Sequence, residues 1–206
     1  MARRTKAEAE ATREAILDAA EHLFYQHGVS RTTLAKIASQ ADVTRGAIYW
    51  HFEDKADLFN AMLARVRLPF HNLLKKLDAL ESGDPIAQIK ELMVSGLTLI
   101  GTSEQHRRVL TIVFHRCEYI DELNPAVNTQ AELDFEALEI MEKTFRRAKS
   151  NNLLRDDLDP KVAAYSLHVF IKGLISSYLI QPNECDLQSI ASTMVDTMLR
   201  GMLKAR

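Results

Sequence analysis

Apolar residues recur along this chain at three- and four-residue spacing and nowhere in sustained alternation, so the pattern predicts helices throughout. Ile16, Leu17, Ala20, Leu23 and Phe24 mark one face of a first helix that stops at Gly28, a residue suited to a helix C-terminus. Leu34, Ile37, Ala38 and Ala41 define a short second helix, with Thr32 or Thr33 placed to cap it. Asp42 tolerates the left-handed backbone a tight turn needs, and Val43 can drop into the core. Thr44 then caps a third helix that runs through Tyr49 and His51, with Ala47, Ile48 and Phe52 inward. Asp54 caps a fourth, whose stripe of Leu58, Met62, Val66, Leu73, Leu74 and Leu77 is interrupted by Pro69. A proline there removes one backbone bond and crowds the Arg65 carbonyl, which predicts a kink or break near residues 66–69.

Beyond the loop Glu81-Ser82-Gly83-Asp84-Pro85, Leu92, Met93, Gly96, Leu97 and Ile100 recur at helical spacing, and a shorter helix from about Glu104 presents Val109, Leu110, Ile112, Val113 and Phe114. His115 to Tyr119 read as a polar turn. A long helix follows from about Pro125 to Ser150, striped by Leu133, Ala137, Ile140, Met141, Thr144, Phe145 and Ala148 and ended by Asn151 and Asn152. Asp159-Pro160 restarts the chain as cap and first helical residue. The helix after it is apolar around most of its circumference apart from His168 and Lys172, so it needs cover on two sides: its own domain and a second subunit. The last helix, about 185–203, carries Leu187, Ile190, Met194, Met198, Leu199 and Met202. The expectation is an all-α fold of about nine helices, with a small domain at 1–53 and a larger one at 54–206.

Charge changes the picture in one respect. The formal net charge is −2, so no overall basic field advertises a nucleic acid, and any such function rests on local geometry. Cys117 and Cys185 stand far apart without ligand spacing, which fits a reducing cytoplasm and predicts neither disulfide nor zinc site. No run of about eighteen apolar residues and no signal-peptide core is apparent, so no membrane segment is expected. Phosphate-binding loop, dinucleotide turn, nucleophile elbow and HExxH are all missing, and His115, Cys117 and Glu118 are too close in sequence to converge on one atom. The reading is therefore a non-enzyme with no catalytic residues, no metal and no cofactor.

The densest chemistry lies at residues 32–55, where two short helices joined by a tight turn form a helix-turn-helix. Thr44, Arg45, Gly46, Tyr49, Trp50 and His51 fall mostly on the outer side of the second helix. A DNA backbone supplies acceptors for the Tyr49 phenol and Trp50 indole, which a closed core would have to provide specially. Thr44, Arg45 and Gly46 are assigned to base edges, and Thr33, Tyr49, Trp50, His51 and Lys55 to phosphates. The alternatives are an aromatic core edge, or partner anchors in a protein-interaction module. Arg3, Arg4 and Lys6 form a basic arm that either follows the phosphates or is a solvated tail.

Thr33, Ile37, Ala38, Val43, Thr44, Gly46, Ile48, Tyr49, His51, Phe52 and Lys55 follow a pattern that resembles the TetR family of bacterial transcriptional repressors. Asp42 departs from it, standing where that family usually has Gly. The segment RRVLTIVF-HRCEY at 107–119, with Asp84-Pro85 and Asp186-Leu187, resembles the subgroup that controls multidrug efflux pumps. The resemblance implies a homodimer joined through the last two helices, a palindromic double-stranded operator, and release by a small amphipathic effector. It also implies an effector pocket at Val66, Leu92, Met93, Gly96, Leu110, Phe114, Ala137, Met141, His168, Ile171, Lys172 and Ile175. On chemistry alone, His168 could equally be a satisfied core histidine and Lys172 a snorkelling one, and Gly96 could make room for a helix or a ligand. Pro69 reads as either a hinge or a helix end.

Overall fold

The computed structural model describes residues 5–117, 124–182 and 184–204, with residues 124–130 described by backbone alone. Arg3, Arg4, Glu118 and Tyr119 lie outside the described residues. Among the described residues the chain forms nine α-helices and no named strand: α1 Lys6–His27, α2 Leu34–Gln40, α3 Arg45–His51, α4 Lys55–Asp78, α5 Pro85–Thr102, α6 Glu104–Thr111, α7 Asn124–Ser150, α8 Pro160–Ile180 and α9 Leu187–Arg200. A π-helical segment, Ile112–Arg116, continues α6, and one isolated antiparallel bridge joins Leu154 to Leu203.

Two compact units emerge, Met1–Arg67 with Arg108–Gln130, and Leu68–Arg107 with Ala131–Arg206. In the first, α1 packs on α2, α3 and the π segment. Its core joins Ile16, Leu17, Leu23 and Phe24 of α1 to Ile37, Ile48, Phe52, Leu58, Met62, Val66, Val109 and Ile112. The early turns of α4 and the end of α6 thus complete the core beneath the helix-turn-helix, which residues 1–53 alone do not supply. In the second unit α9 packs on α5 and on α8.

Local chemistry sets the helix ends. Thr5 and Glu8 form a reciprocal capping box at α1, with the Thr5 N–H donating to Glu8 at 2.7 Å. Thr33 rather than Thr32 caps α2, its Oγ1 accepting from the Lys36 N–H at 3.3 Å. Thr32 is buried and donates instead to the Gly28 carbonyl at 2.8 Å, closing the α1–α2 turn. After α2, Asp42 has φ 52°, the Val43 N–H reaches the Ala38 carbonyl at 3.0 Å and the Asp42 N–H reaches Ser39 at 3.3 Å. Those bonds make a Schellman motif with Asp42 at its left-handed position. Asp is tolerated there but strained relative to Gly, whose own cost is unfolded-state entropy. Asp42→Gly is expected to stabilise the protein by about 0.5 kcal/mol, seen as a higher denaturant midpoint at unchanged slope. A lower midpoint would mean that the Asp42 side chain contributes more than the strain that glycine would relieve.

Two expectations change. Of the kink or break expected at Pro69, the break is excluded, since α4 runs continuously from Lys55 to Asp78; Pro69 and Leu68 face solvent, where water can satisfy the Arg65 carbonyl that the proline leaves without its donor. The polar turn does not begin at His115, because the chain continues to Arg116 as a π helix, and that winding delivers the Arg116 carbonyl to the Val29 N–H at 3.1 Å. By length and composition alone α8 is long and apolar enough to cross a membrane, the one described helix that is, a property that a core helix can share. It buries Ala163, Ala164, Leu167, Tyr178 and Leu179 while leaving Val162, Tyr165, Val169 and Ile180 exposed. Gly96 makes room for a helix: a Cβ there would lie 3.2 Å from the Phe70 ring of α4.

Candidate nucleic-acid interface

α3 buries a single side chain, Ile48, and presents almost everything else. Thr44 caps it, its Oγ1 accepting from the Ala47 N–H at 3.2 Å, so the first turn is held rigidly while its remaining N–H groups point outward. Thr44, Arg45 and Gly46 are exposed at that end. A Cβ on Gly46 would meet only the Thr44 hydroxyl, at 3.8 Å, so the backbone here is open to close approach.

One turn on, Tyr49 is 48 % and Trp50 74 % exposed, far more than aromatic side chains closing a core edge would be. Trp50 meets His51 edge to face at a centroid separation of 4.9 Å, and His51 is half-buried. Arg45 Nη2 donates to the Tyr49 hydroxyl at 3.0 Å, its guanidinium carbon 5.5 Å from the ring centre. Thr33 is exposed at the start of α2. The fold therefore gathers Thr33, Thr44, Arg45, Gly46, Tyr49 and Trp50 at the surface of one helix-turn-helix.

Lys55, the residue assigned to a phosphate at the end of the motif, opens α4 beside buried Ala56 and is only 6 % exposed. Two exposed cations absent from the sequence-derived set, Arg31 and Lys36, flank Thr33; the Lys36 amine donates to the Arg31 carbonyl at 3.3 Å. Their signal was present in the sequence. Lys36 falls opposite Ile37 and Ala38 on α2, the side that a helix packed on α1 must leave in water.

The residues expected to line an effector pocket divide between the units. Val66, Leu110 and Phe114 belong to the first, where Val66 is part of the core, and the other nine to the second. Leu92, Met93, Ala137 and Met141 are buried, and Gly96, His168, Ile171, Lys172 and Ile175 are partly so. Lys172 neither snorkels freely nor stands alone, since its amine donates to Asp134 of α7 at 2.6 Å. Burial lowers the His168 pKa, the Lys172 charge lowers it further, and Asp134 offsets part of this, so the ring is neutral near pH 7. A cavity of about 470 Å³ lies elsewhere, between the 81–83 loop and Lys143, Arg146, Arg147, Ser150 and Asn151, and shares no residue with that set. Among the described residues no group of three His, Cys, Asp or Glu side chains could hold a metal ion.

Comparison with known proteins gives a consistent picture. Residues 16–62 match the tetR family of bacterial regulatory proteins, and residues 84–205 match the C-terminal region of MAATS-type transcriptional repressors. The HTH-type transcriptional regulator AcrR of Shigella flexneri is 38 % identical over 203 residues, 98 % of this chain and 94 % of that protein. The crystal structure of NalD, the secondary repressor of the MexAB-OprM multidrug efflux pump in Pseudomonas aeruginosa, is similar with a TM-score of 0.90 and 39 % identity, covering 98 % of this chain and all of that one. A complex of SmeT with triclosan is similar at a TM-score of 0.82 and 34 % identity, over 94 % of this chain and 92 % of the other. SmeT is described as the repressor of the Stenotrophomonas maltophilia multidrug efflux pump SmeDEF.

Proposed function

The chain belongs to the TetR family of bacterial transcriptional regulators, and from that premise we propose a homodimeric cytoplasmic repressor of a multidrug efflux operon, released from its operator by a small amphipathic molecule. The observation that carries DNA binding is α3, a capped helix that buries Ile48 alone and offers Arg45, Gly46, Tyr49 and Trp50 to a groove. In this reading residues 1–53 read the operator, Thr44, Arg45 and Gly46 at base edges and Thr33, Tyr49, Trp50 and His51 at phosphates, with Arg31 and Lys36 taking over the charge contact first assigned to Lys55. Residues 54–206 hold the effector and the partner subunit. The effector must favour a conformation in which the two recognition helices are wrongly spaced for successive major grooves, since equal affinity for both conformations would shift nothing. Apolar Leu92, Met93 and Met141, with His168 and Lys172 as polar groups, suit an amphipathic occupant.

Dimerisation through α8 and α9 is supported by the exposed apolar positions of α8. Val162, Tyr165, Val169 and Ile180 form a stripe along α8, and a Cβ on Gly173 in the same stripe would meet nothing within 4 Å. A two-fold pairing across it presents two copies of α3 to half-sites about one helical turn apart. The test of base reading is a binding series over single-base-pair variants of an operator selected from genomic fragments. Arg45→Ala is expected to relax preference at one base pair per half-site, by about 1–3 kcal/mol of discrimination. Equal weakening across every variant would remove Arg45 from the base-reading set.

A further inference from the structure

Arg45 and Tyr49 lie one turn apart on the outer face of α3, and both are exposed. Their contact is therefore not needed to satisfy buried groups. Each side chain could be solvated separately, and an exposed pair at this spacing adds little to folding stability. Its consequence is geometric. The guanidinium lies 5.5 Å from the Tyr49 ring centre and gives one Nη2 hydrogen to the hydroxyl at 3.0 Å, so two contacts to one ring restrict a side chain that otherwise samples many rotamers. Among the described residues only one of the five guanidinium donors is used. Nε and Nη1 keep all of theirs, enough for the paired contact to the O6 and N7 atoms of a guanine.

We propose that the Tyr49 hydroxyl is a positioning group for Arg45, holding the guanidinium in the orientation in which it reads a guanine, so that Tyr49 sets sequence preference and not only backbone affinity. The proposal rests on the reading of Arg45 as a base contact. A phenol that served phosphate alone would contribute equally to every sequence; one that acts through Arg45 contributes at a single base pair.

The experiment uses the full-length protein and the selected operator duplex with its single-base-pair variants, comparing Tyr49→Phe, Arg45→Ala and the double variant by fluorescence anisotropy. Tyr49→Phe keeps the ring and removes only the hydroxyl, at an exposed site where folding should be unaffected; the helical circular-dichroism signal verifies that. Discrimination at the base pair that Arg45→Ala relaxes is expected to fall about 3- to 10-fold in Tyr49→Phe, the worth of one such hydrogen bond, with other positions unchanged. The double variant should discriminate there no worse than Arg45→Ala alone. Uniform weakening across all variants, no change at the Arg45 position, or losses that simply add would each overturn the positioning role. An Arg45→Ala protein with every preference intact would instead overturn the base-contact reading beneath it.

Discussion

Val169→Glu is expected to convert the dimer to monomers at micromolar concentration and to weaken operator binding at least about a thousandfold, the margin that commonly separates specific from non-specific DNA affinity. Val169 sits mid-stripe on α8 and is 50 % exposed in the single chain, so a glutamate there remains solvated in the monomer and leaves its fold intact. At a two-fold interface the same substitution acts twice, placing two carboxylates against an apolar surface and, by symmetry, near one another. Each unpaired charge removed from water costs several kcal/mol even after relaxation, and every 1.4 kcal/mol is about tenfold in the association constant. Loss of the dimer halves the number of recognition helices per molecule, so operator affinity should fall with it. Sedimentation velocity reads the first effect and anisotropy on the selected operator the second, with Val162→Glu as an independent variant of the same stripe. A protein that stays dimeric and binds normally in both variants would place the interface off α8.

How far the chain could be read beforehand depended on the range of the interactions. The helix-turn-helix was legible because its determinants are local: Thr33 and Thr44 cap the helices they precede, and Asp42 takes the positive φ that the turn demands. The exposure of Tyr49 and Trp50 followed from the same helical period that buries Ile48. What was not legible came from distant partners. Lys55 closes the motif that begins at Thr33, yet it is only 6 % exposed, a burial that its place in the motif does not announce. The place of Gly96 depended on Phe70, twenty-six positions away on another helix. The π winding at Ile112–Arg116 ends in a bond to Val29, which no periodicity within residues 104–119 encodes. For the effector residues, the apolar periodicity of α5 and α7 identified buried positions, but burial alone does not distinguish a core from a pocket.

The same long-range logic makes Glu21 the second sensitive position. It is a carboxylate on α1 only 3 % exposed, where an ionised group persists only if it is paired. Arg108 of α6 donates its Nε hydrogen to it at 2.8 Å, and Arg65 of α4 approaches at 3.9 Å while also pairing with Asp18 at 2.7 Å and with Glu14. Burial works against the Arg65 charge, but the hydrogen bonds it donates to Glu14 and Asp18, together with their charges, outweigh it and raise its pKa. Three helices of the first unit thus meet at one acidic side chain. Removing one partner from a wholly buried pair costs about 3–5 kcal/mol. The cost here is smaller, because Arg65 keeps two carboxylates and Arg108, 39 % exposed, can turn toward water. Glu21→Ala is accordingly expected to destabilise the protein by about 2–3 kcal/mol, lowering Tm by about 5–10 °C for a chain of this size. Arg108→Ala should cost less, and the double variant should fall short of the sum by about 1 kcal/mol or more, the signature of a direct pair in a thermodynamic cycle. Strict additivity would mean that Glu21 stabilises the unit through packing of its methylenes and not through charge, and the bond to Arg108 would then be a consequence of the helix arrangement rather than a cause of it.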